Sequence, residues 1–268
     1  MRQFVQQRFD KRVSGRSCLR YLHRLGCVWK RPKRLLLKAA AKKRAAFVED
    51  YRALVADAAR RGARIFFADE AHFRADGDLR GMWVQRGEEA LVGSTSPKYG
   101  EKASYYAAVC LETGEVSAAQ LQDTSSAATS VAFLKGLREE YSGELIVIWD
   151  NAPAHHGDAL REYLRTPDLH LRLVALPAYS PDYNPVEELW KWLREEVTAN
   201  TCFGTAAKVA EAVWAFLLGL NERADEVKVR CRSELQTAAF PDTSRHPARR
   251  IRRLELRRER TIQAALTV

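Results

Sequence analysis

The chain has 268 residues, of which 46% are hydrophobic and 29% charged, with a formal net charge of +10. That length supports one large domain plus a small one around a sizeable core. No stretch approaches the roughly 18 apolar residues of a membrane span, Met1-Arg-Gln-Phe does not read as a signal peptide, and five scattered cysteines without a Cys-x-x-Cys pair argue against a disulfide framework or zinc site. The expectation is a protein of the reducing cytoplasm with no membrane partner.

The net charge is unevenly spread. Residues 1–46 hold 15 Lys and Arg against Asp10 alone, a local charge of +14. The segment from Pro241 to Val268 holds 8 Arg against 3 acids, a charge of +5, which leaves −9 for residues 47–240. Basic ends around an acidic middle suggest a nucleic-acid-binding arm joined to a domain that concentrates carboxylates. The blander reading is a solvated basic surface.

In chain order, a short helical pattern around Phe4, Val5 and Phe9 precedes a turn at Ser14-Gly15. Ser17 is placed to N-cap a helix running to about Leu25, with Gly26 at its end. Cys18, Leu19, Leu22 and Leu25 form its apolar stripe. Arg16, Arg20 and Arg24 recur every four residues on another face, a row suited to a major groove. This pattern resembles half of a helix-turn-helix or winged-helix module. Lys30, Arg31, Lys33 and Arg34 then form an extended basic linker suited to phosphates or a minor groove.

A linking helix is predicted from Lys38 to Arg61, stopped by Gly62, followed by a buried strand, Arg64–Asp69, that ends on an acid. Asp76-Gly-Asp78 reads as turn chemistry, Trp83-Val-Gln as a short strand, and 102–111 with 116–121 as a β-hairpin. A helix from Ser126 to Tyr141 returns the chain to Leu145–Trp149, five apolar residues in succession that read as a strand buried on both faces. Asp150 terminates that strand, and an acid at the carboxyl end of a buried strand sits where open α/β sheets place their chemistry; the alternative is that it starts a turn or caps the next helix. A helix through Leu160 and Leu164 and a strand at 171–176 follow. The proline-bounded loop 177–185 then delivers a helix over 186–197, with Asn184 as N-cap and Pro185 at the first position. A last amphipathic helix covers 205–220, and the Arg-rich tail after Phe240 is expected to lack a stable fold.

In the 186–197 helix, Val186, Leu189, Trp190, Leu193 and Val197 define the buried stripe. Glu187 falls on its border, turned toward the strand ends, and Glu188 faces water. Asn184-x-x-Glu187 also satisfies a capping box, a structural role for the same residue. Asp69, Asp150 and Glu187 nonetheless come from three elements that can converge if the two strands are neighbours. Carboxylates that close repel, and hard divalent cations are the usual remedy.

Ala68-Asp-Glu-Ala-His-Phe73, Trp149-Asp-Asn-Ala-Pro-Ala-His155 and Tyr179-Ser-Pro-Asp-Tyr-Asn-Pro-Val-Glu-Glu-Leu-Trp190 closely resemble the three signature blocks of mariner-type transposases, in particular their bacterial insertion-sequence branch. The resemblance runs from about Ile65 to Val197. It implies an α/β, ribonuclease H-like mixed sheet flanked by helices, with a small all-α helix-turn-helix region at the N-terminus. It also implies an Asp-Asp-Glu triad at Asp69, Asp150 and Glu187 that binds two Mg²⁺ or Mn²⁺ ions and acts in catalysis. Asn151 and His155 would stand just behind those ligands, with a cap of the following helix as the other reading for His155. Further implications are cleavage of double-stranded DNA at element ends, strand transfer with TA preference, a homodimer on DNA and a bacterial cytoplasmic location. Trp83 and Trp190 are read as core residues.

The expected division is 1–46 for a partial helix-turn-helix DNA-binding region and basic linker, 47–62 for the linking helix, 63–222 for the catalytic domain, and 223–268 for a C-terminal extension with the Arg-rich tail. Such transposases carry two consecutive helix-turn-helix units, and this chain has room for about one. Two rivals to an active transposase therefore stand: a structure-specific nuclease on the same fold, and a truncated, non-catalytic DNA-binding regulator.

Overall fold

The computed structural model describes residues 2–27, 40–95, 101–122, 125–152, 155 and 157–240. The chain divides into two compact units, Met1–Leu37 and Lys38–Val268. In the first, α1 (Arg2–Phe9) and α2 (Gly15–Arg24) are joined by a short turn. Ser14, not Ser17, caps α2: the Ser14 Oγ accepts the Ser17 N–H at 3.0 Å and also meets the Ser17 hydroxyl. Gly26, at a φ of +74°, follows the end of α2. Of the expected stripe, Cys18 is buried and Leu22 half-buried, while Leu19 and Leu25 are exposed. The basic linker residues Lys30, Arg31, Lys33 and Arg34 lie outside the described residues, as does the tail from 241 to 268.

The second unit opens with α3 (Ala41–Arg61), ended by Gly62 in the left-handed region that a side chain would strain. Five strands follow: β1 (Arg64–Arg74), β2 (Lys102–Cys110), β3 (Val116–Leu121), β4 (Leu145–Trp149) and β5 (Leu171–Ala175). They form one mixed sheet in the order β3-β2-β1-β4-β5, antiparallel on the β2 and β3 side and parallel on the β4 and β5 side. The hairpin and the central strand fall where the sequence places them. β1 does not end at Asp69. Pairing with β4 stops at Phe67, but pairing with β2 continues to Arg74, because Ala71 and Phe73 keep supplying buried side chains on alternate positions.

Alternation sorts the strands into two layers. Phe66, Ala68, Tyr106, Ala108, Leu145, Val147 and Trp149 pack under α4 (Ala127–Glu140) and α5 (Asp158–Leu164). Phe67, Ala71, Phe73, Tyr105, Ala107, Ile146 and Ile148 pack under α3, α6 (Val186–Leu193) and α7 (Ala206–Gly219). Two short helices, α8 (Ala224–Arg230) and α9 (Glu234–Ala239), bury Val227, Leu235 and Ala239 in that second layer. The stretch from 223 to 240 thus contributes to the core, and α3 packs there through Phe47, Tyr51, Leu54 and Ala58. The helix expected over 186–197 changes character at Arg194, where a π-helical turn runs to Thr198. Residues 81–85 form no strand, and Trp83 is fully exposed rather than core. No helix among the described residues is long and apolar enough to cross a membrane.

Candidate active site

Phe67 and Ile148 are partners in the parallel register of β1 and β4. Two residues further along each chain come Asp69 and Asp150, so a period-2 pleat carries both acids to the face covered by α6. Neighbouring strands are about 4.8 Å apart, which makes this close placement for two carboxylates. Asp69 lies among buried side chains, and its carboxyl is pushed well above the ordinary aspartate range, first by burial and then by the charges of Glu187 and Asp150. The Trp190 indole N–H opposes that shift by donating to Asp69 Oδ2 at 3.1 Å. Trp190 is buried as expected, and its contact with Asp69 could not be read from helical periodicity.

Glu187 occupies the first turn of α6. Its carboxyl is raised by burial and by Glu188 and Asp150, and drawn down by Arg194. As whole residues, Glu187 is the more exposed and Glu188 is half-buried, so the expectation that Glu188 is the one facing water is not met. The reciprocal half of the capping box is not formed, since the Asn184 N–H donates to the Pro181 carbonyl at 2.9 Å. Asn184 itself caps the helix as expected and does more. It is buried, its Nδ2 donates to the Ala68 carbonyl at 2.8 Å, and its Oδ1 accepts the Val186 N–H at 3.2 Å. One side chain thereby ties the start of α6 to the strand residue beside Asp69. Glu188, one position on, pairs with Lys191 at 3.1 Å.

The loop ahead of α6 is held from two sides. Arg44 of α3 makes a two-pronged ion pair with Asp182, one contact at 2.8 Å, and lies over the Tyr183 ring at 4.0 Å. The pairing raises the Arg44 guanidinium and lowers the Asp182 carboxyl. Ser233, just before α9, donates to the Tyr183 carbonyl at 2.9 Å. By sequence Arg44 belongs to the basic arm, yet in the fold it clamps the loop that leads into α6. A sequence signal for that existed only in Asp182, an acid amid prolines.

Just past β4, Asp150 Oδ1 accepts the Ala152 N–H at 3.1 Å and lies 2.8 Å from His155 Nδ1, which is also 3.2 Å from the Asp150 carbonyl oxygen. His155 is buried with its ring against Trp149, centroids 3.9 Å apart, and its Nε2 has no partner among the described residues. Asn151 donates to the Leu176 carbonyl and so ties the exit of β4 to the loop after β5. Ala154 and His156 lie outside the described residues. Asp76 is more than a turn residue: it accepts from Ser94 at 2.6 Å and from the Thr95 and Cys202 side chains, which lowers its carboxyl to about 2. In the first unit, Arg16, Arg20 and Arg24 are all exposed along α2.

Among the described residues no group of three or more His, Cys, Asp or Glu side chains is gathered as a ready metal site. What the structure does show is three acids near enough to raise the carboxyls of Asp69 and Glu187. A divalent cation relieves that kind of crowding, and hard carboxylate oxygens are the donors such a cation takes. The donor set therefore fits.

The mixed sheet with helices on both faces defines a ribonuclease H-like domain. The chain belongs to the DDE superfamily endonucleases, whose family model matches residues 64–209, and a winged helix-turn helix model matches residues 1–51. Among similar proteins, the insertion element IS630 uncharacterized 39 kDa protein of Shigella sonnei is 30% identical over 140 residues, covering 51% of this chain and 39% of that protein. The Tc3 transposase of Caenorhabditis elegans is 27% identical over 158 residues, covering 56% and 47% respectively. The chain thus spans less than half the length of these two relatives. Among solved structures, a Mos1 mariner paired end complex with Mn superposes with a TM-score of 0.58 at 18% identity, over 88% of this chain and 77% of that one. A paired end complex with Mg gives 0.55 at 20%, over 85% and 77%. The resemblance to mariner-type transposases seen in the three blocks is borne out by these matches.

Proposed function

We propose that the chain is a DNA transposase that hydrolyses phosphodiester bonds at the ends of its element and joins the freed strand to target DNA, with TA preference implied by the resemblance. The observation that supports this reading is that Glu187 and Asp150 lie near enough to Asp69 to raise its carboxyl, and Asp150 near enough to Glu187 to help raise that one. These three would hold two Mg²⁺ or Mn²⁺ ions, in keeping with the Mg and Mn complexes of the structurally similar Mos1. When bound, the metal supplies activation of a water or 3′-hydroxyl and stabilisation of the leaving oxygen.

The chain's own groups set the geometry. The Trp190 N–H fixes one oxygen of Asp69, His155 and the Ala152 N–H fix one oxygen of Asp150, and Asn184 fixes the start of the Glu187 helix. Arg16, Arg20 and Arg24 on α2, with Lys30, Arg31, Lys33 and Arg34 beyond it, would bind double-stranded DNA at the terminal repeats. A homodimer on DNA, in a bacterial cytoplasm, is the working form in this reading.

The test is a strand-transfer assay with labelled element ends and Mg²⁺ or Mn²⁺, run beside melting curves. Cleavage and joining are expected, as is a metal-dependent rise in melting temperature that is lost in Asp69→Asn, Asp150→Asn, since binding only the native state stabilises it. Hydrolysis without joining would leave a nuclease. DNA binding without either reaction would leave a regulator.

A further inference from the structure

The loop between β5 and α6 carries two tyrosines that the fold treats differently. Tyr183 is buried, lies under the Arg44 guanidinium at 4.0 Å, and has its carbonyl held by Ser233. Tyr179 is 53% exposed, and its backbone stands at a φ of +59°. Among the described residues, the other non-glycine residues in the left-handed region are Asp10, Asp168, His170 and Asn200. Asp, Asn and His are the types that enter that region most readily, whereas a bulky side chain there is an outlier. Tyr179 is that outlier.

Its place in the loop bears on what the strain serves. Upstream, the Leu176 N–H donates to the Trp149 carbonyl at 2.8 Å, and the Leu176 carbonyl accepts from Asn151. Trp149 and Asn151 are the two residues that flank Asp150. Downstream, Asn184 donates to the carbonyl of Ala68, the residue before Asp69, and the Arg44–Asp182 pair grips the stretch between. A loop held at so many points can keep one residue in an unfavourable conformation, and such residues cluster at active sites and ligand clamps. Tyr179 is three residues past Leu176, so its Cα lies within about 11 Å of that anchor at about 3.8 Å per step. The half-exposed ring therefore stands on the rim of the triad, where the chain leaves the carboxyl ends of β4 and β5.

We infer that Tyr179 is a stacking platform for one unstacked base of the DNA strand that enters the Asp69, Asp150 and Glu187 site. An aromatic ring takes any base, because every base has a π-face. Bases within a duplex are already stacked on one another, so the ring selects a strand that is unpaired beside the bond to be cut or joined. The substrate is thereby narrowed to DNA with a frayed or single-stranded end. This inference rests on the transposase reading for the identity of its DNA, but its test does not need cleavage.

The full chain, with Ca²⁺ as the divalent cation, is titrated against labelled probes of one sequence: a blunt duplex, and the same duplex with a short run of unpaired thymines at one 3′ end. Tyr179→Phe keeps the ring, and Tyr179→Asn removes it while tolerating the left-handed backbone. The parent and Tyr179→Phe are expected to prefer the probe with the unpaired end. Tyr179→Asn is expected to lose about 5- to 100-fold on that probe, the range for one stacked base, and nothing on the blunt duplex. Its slope of log K against log salt should stay parental, because a stacking contact releases no counterions. A parent without the preference would overturn the platform. So would a Tyr179→Asn variant that binds both probes as the parent does, weakens equally on both, or loses about one unit of slope.

Folding gives an independent readout. Tyr179→Asn is expected to melt within about 3 °C of the parent or above it, since the ring is half in solvent and the backbone suits Asn better. A larger fall would mean that the ring serves the fold, and it too would overturn the platform. A parent that shows the preference but neither cleaves nor joins DNA removes the transposase reading and keeps the platform. A parent that cleaves and joins, while Tyr179→Asn binds both probes unchanged, does the reverse.

Discussion

Under α4 and α5, Phe66, Ala68, Tyr106, Leu145, Val147 and Trp149 form an apolar layer, whereas the other face of the same strands presents Asp69 and Asp150 among Phe67, Ile146 and Ile148. The strands are shared, so the difference comes from alternate residues alone. On the first face, apolar burial is joined by ties from the sheet to α4, Tyr106 to Ser130 at 3.3 Å and Ser117 to Glu140 at 2.5 Å. On the second, like-charged carboxyls work against the fold, and packing is supplemented by specific polar ties: Asn184 to Ala68, Trp190 to Asp69, Arg44 to Asp182 and Ser233 to Tyr183. Both faces carry polar ties, but those on the second reach Asp69 itself, the residue before it and the loop that leads into the Glu187 helix.

The contrast is broken most severely at Glu187. Glu187→Gln keeps shape and removes a charge, and is expected to lower cleavage of a labelled element-end duplex at least about a hundredfold with folding and DNA binding intact. Glu188→Gln, beside it and paired only with Lys191, is expected to cut as the parent does. If Glu187→Gln cuts normally, the triad assignment is wrong.

The apolar face should respond in the opposite sense. Leu134→Ala, in the fully buried centre of the α4 layer, is expected to cost about 2–5 kcal/mol by urea unfolding. Cleavage per folded molecule should stay at the parental level, and a large loss of activity in the folded fraction would show that the two faces are coupled. Asn184→Ala tests the polar tie itself. It leaves the buried Ala68 carbonyl without its side-chain donor, for an expected cost of about 1–3 kcal/mol, and it should also slow cleavage by loosening the Glu187 helix. Stability loss with full activity would make Asn184 a structural residue only.

The smallest effect is on pH. The folded Asp69 carboxyl titrates above its unfolded value of about 3.9, for burial first and neighbouring acids second. Between those two values the native state holds more protons than the unfolded state, so stability falls as pH rises through the window. Without metal, Asp69→Asn should therefore melt higher than the parent at neutral pH, and the gap should close as pH is lowered. A parent that gains stability on raising the pH through this window, relative to Asp69→Asn, would contradict a destabilised carboxylate.

The sequence by itself determined the parts whose causes are local. Gly62 ends α3 because the left-handed backbone there suits glycine, the run Leu145–Trp149 is apolar enough to be a buried strand, and the two runs of the hairpin are joined by the turn residues Glu112-Thr-Gly-Glu115. The three acids were legible because each sits where a periodic apolar pattern breaks. Only the tertiary structure decided the rest. β1 passes Asp69 because its partner there is β2, a choice made by pairing with residues as far on as Tyr106 and invisible in β1 alone. Trp190 looks like any stripe residue until the strand beneath it supplies Asp69 as acceptor. Arg44 looks like one more cation of a basic arm until α3 packs and brings it to Asp182, 138 residues away. Trp83 looks like core by composition, yet its segment has no layer to enter and remains in solvent. Hydrophobic period and turn chemistry act within a few residues, whereas hydrogen-bond partners of buried polar groups are fixed only when distant elements meet.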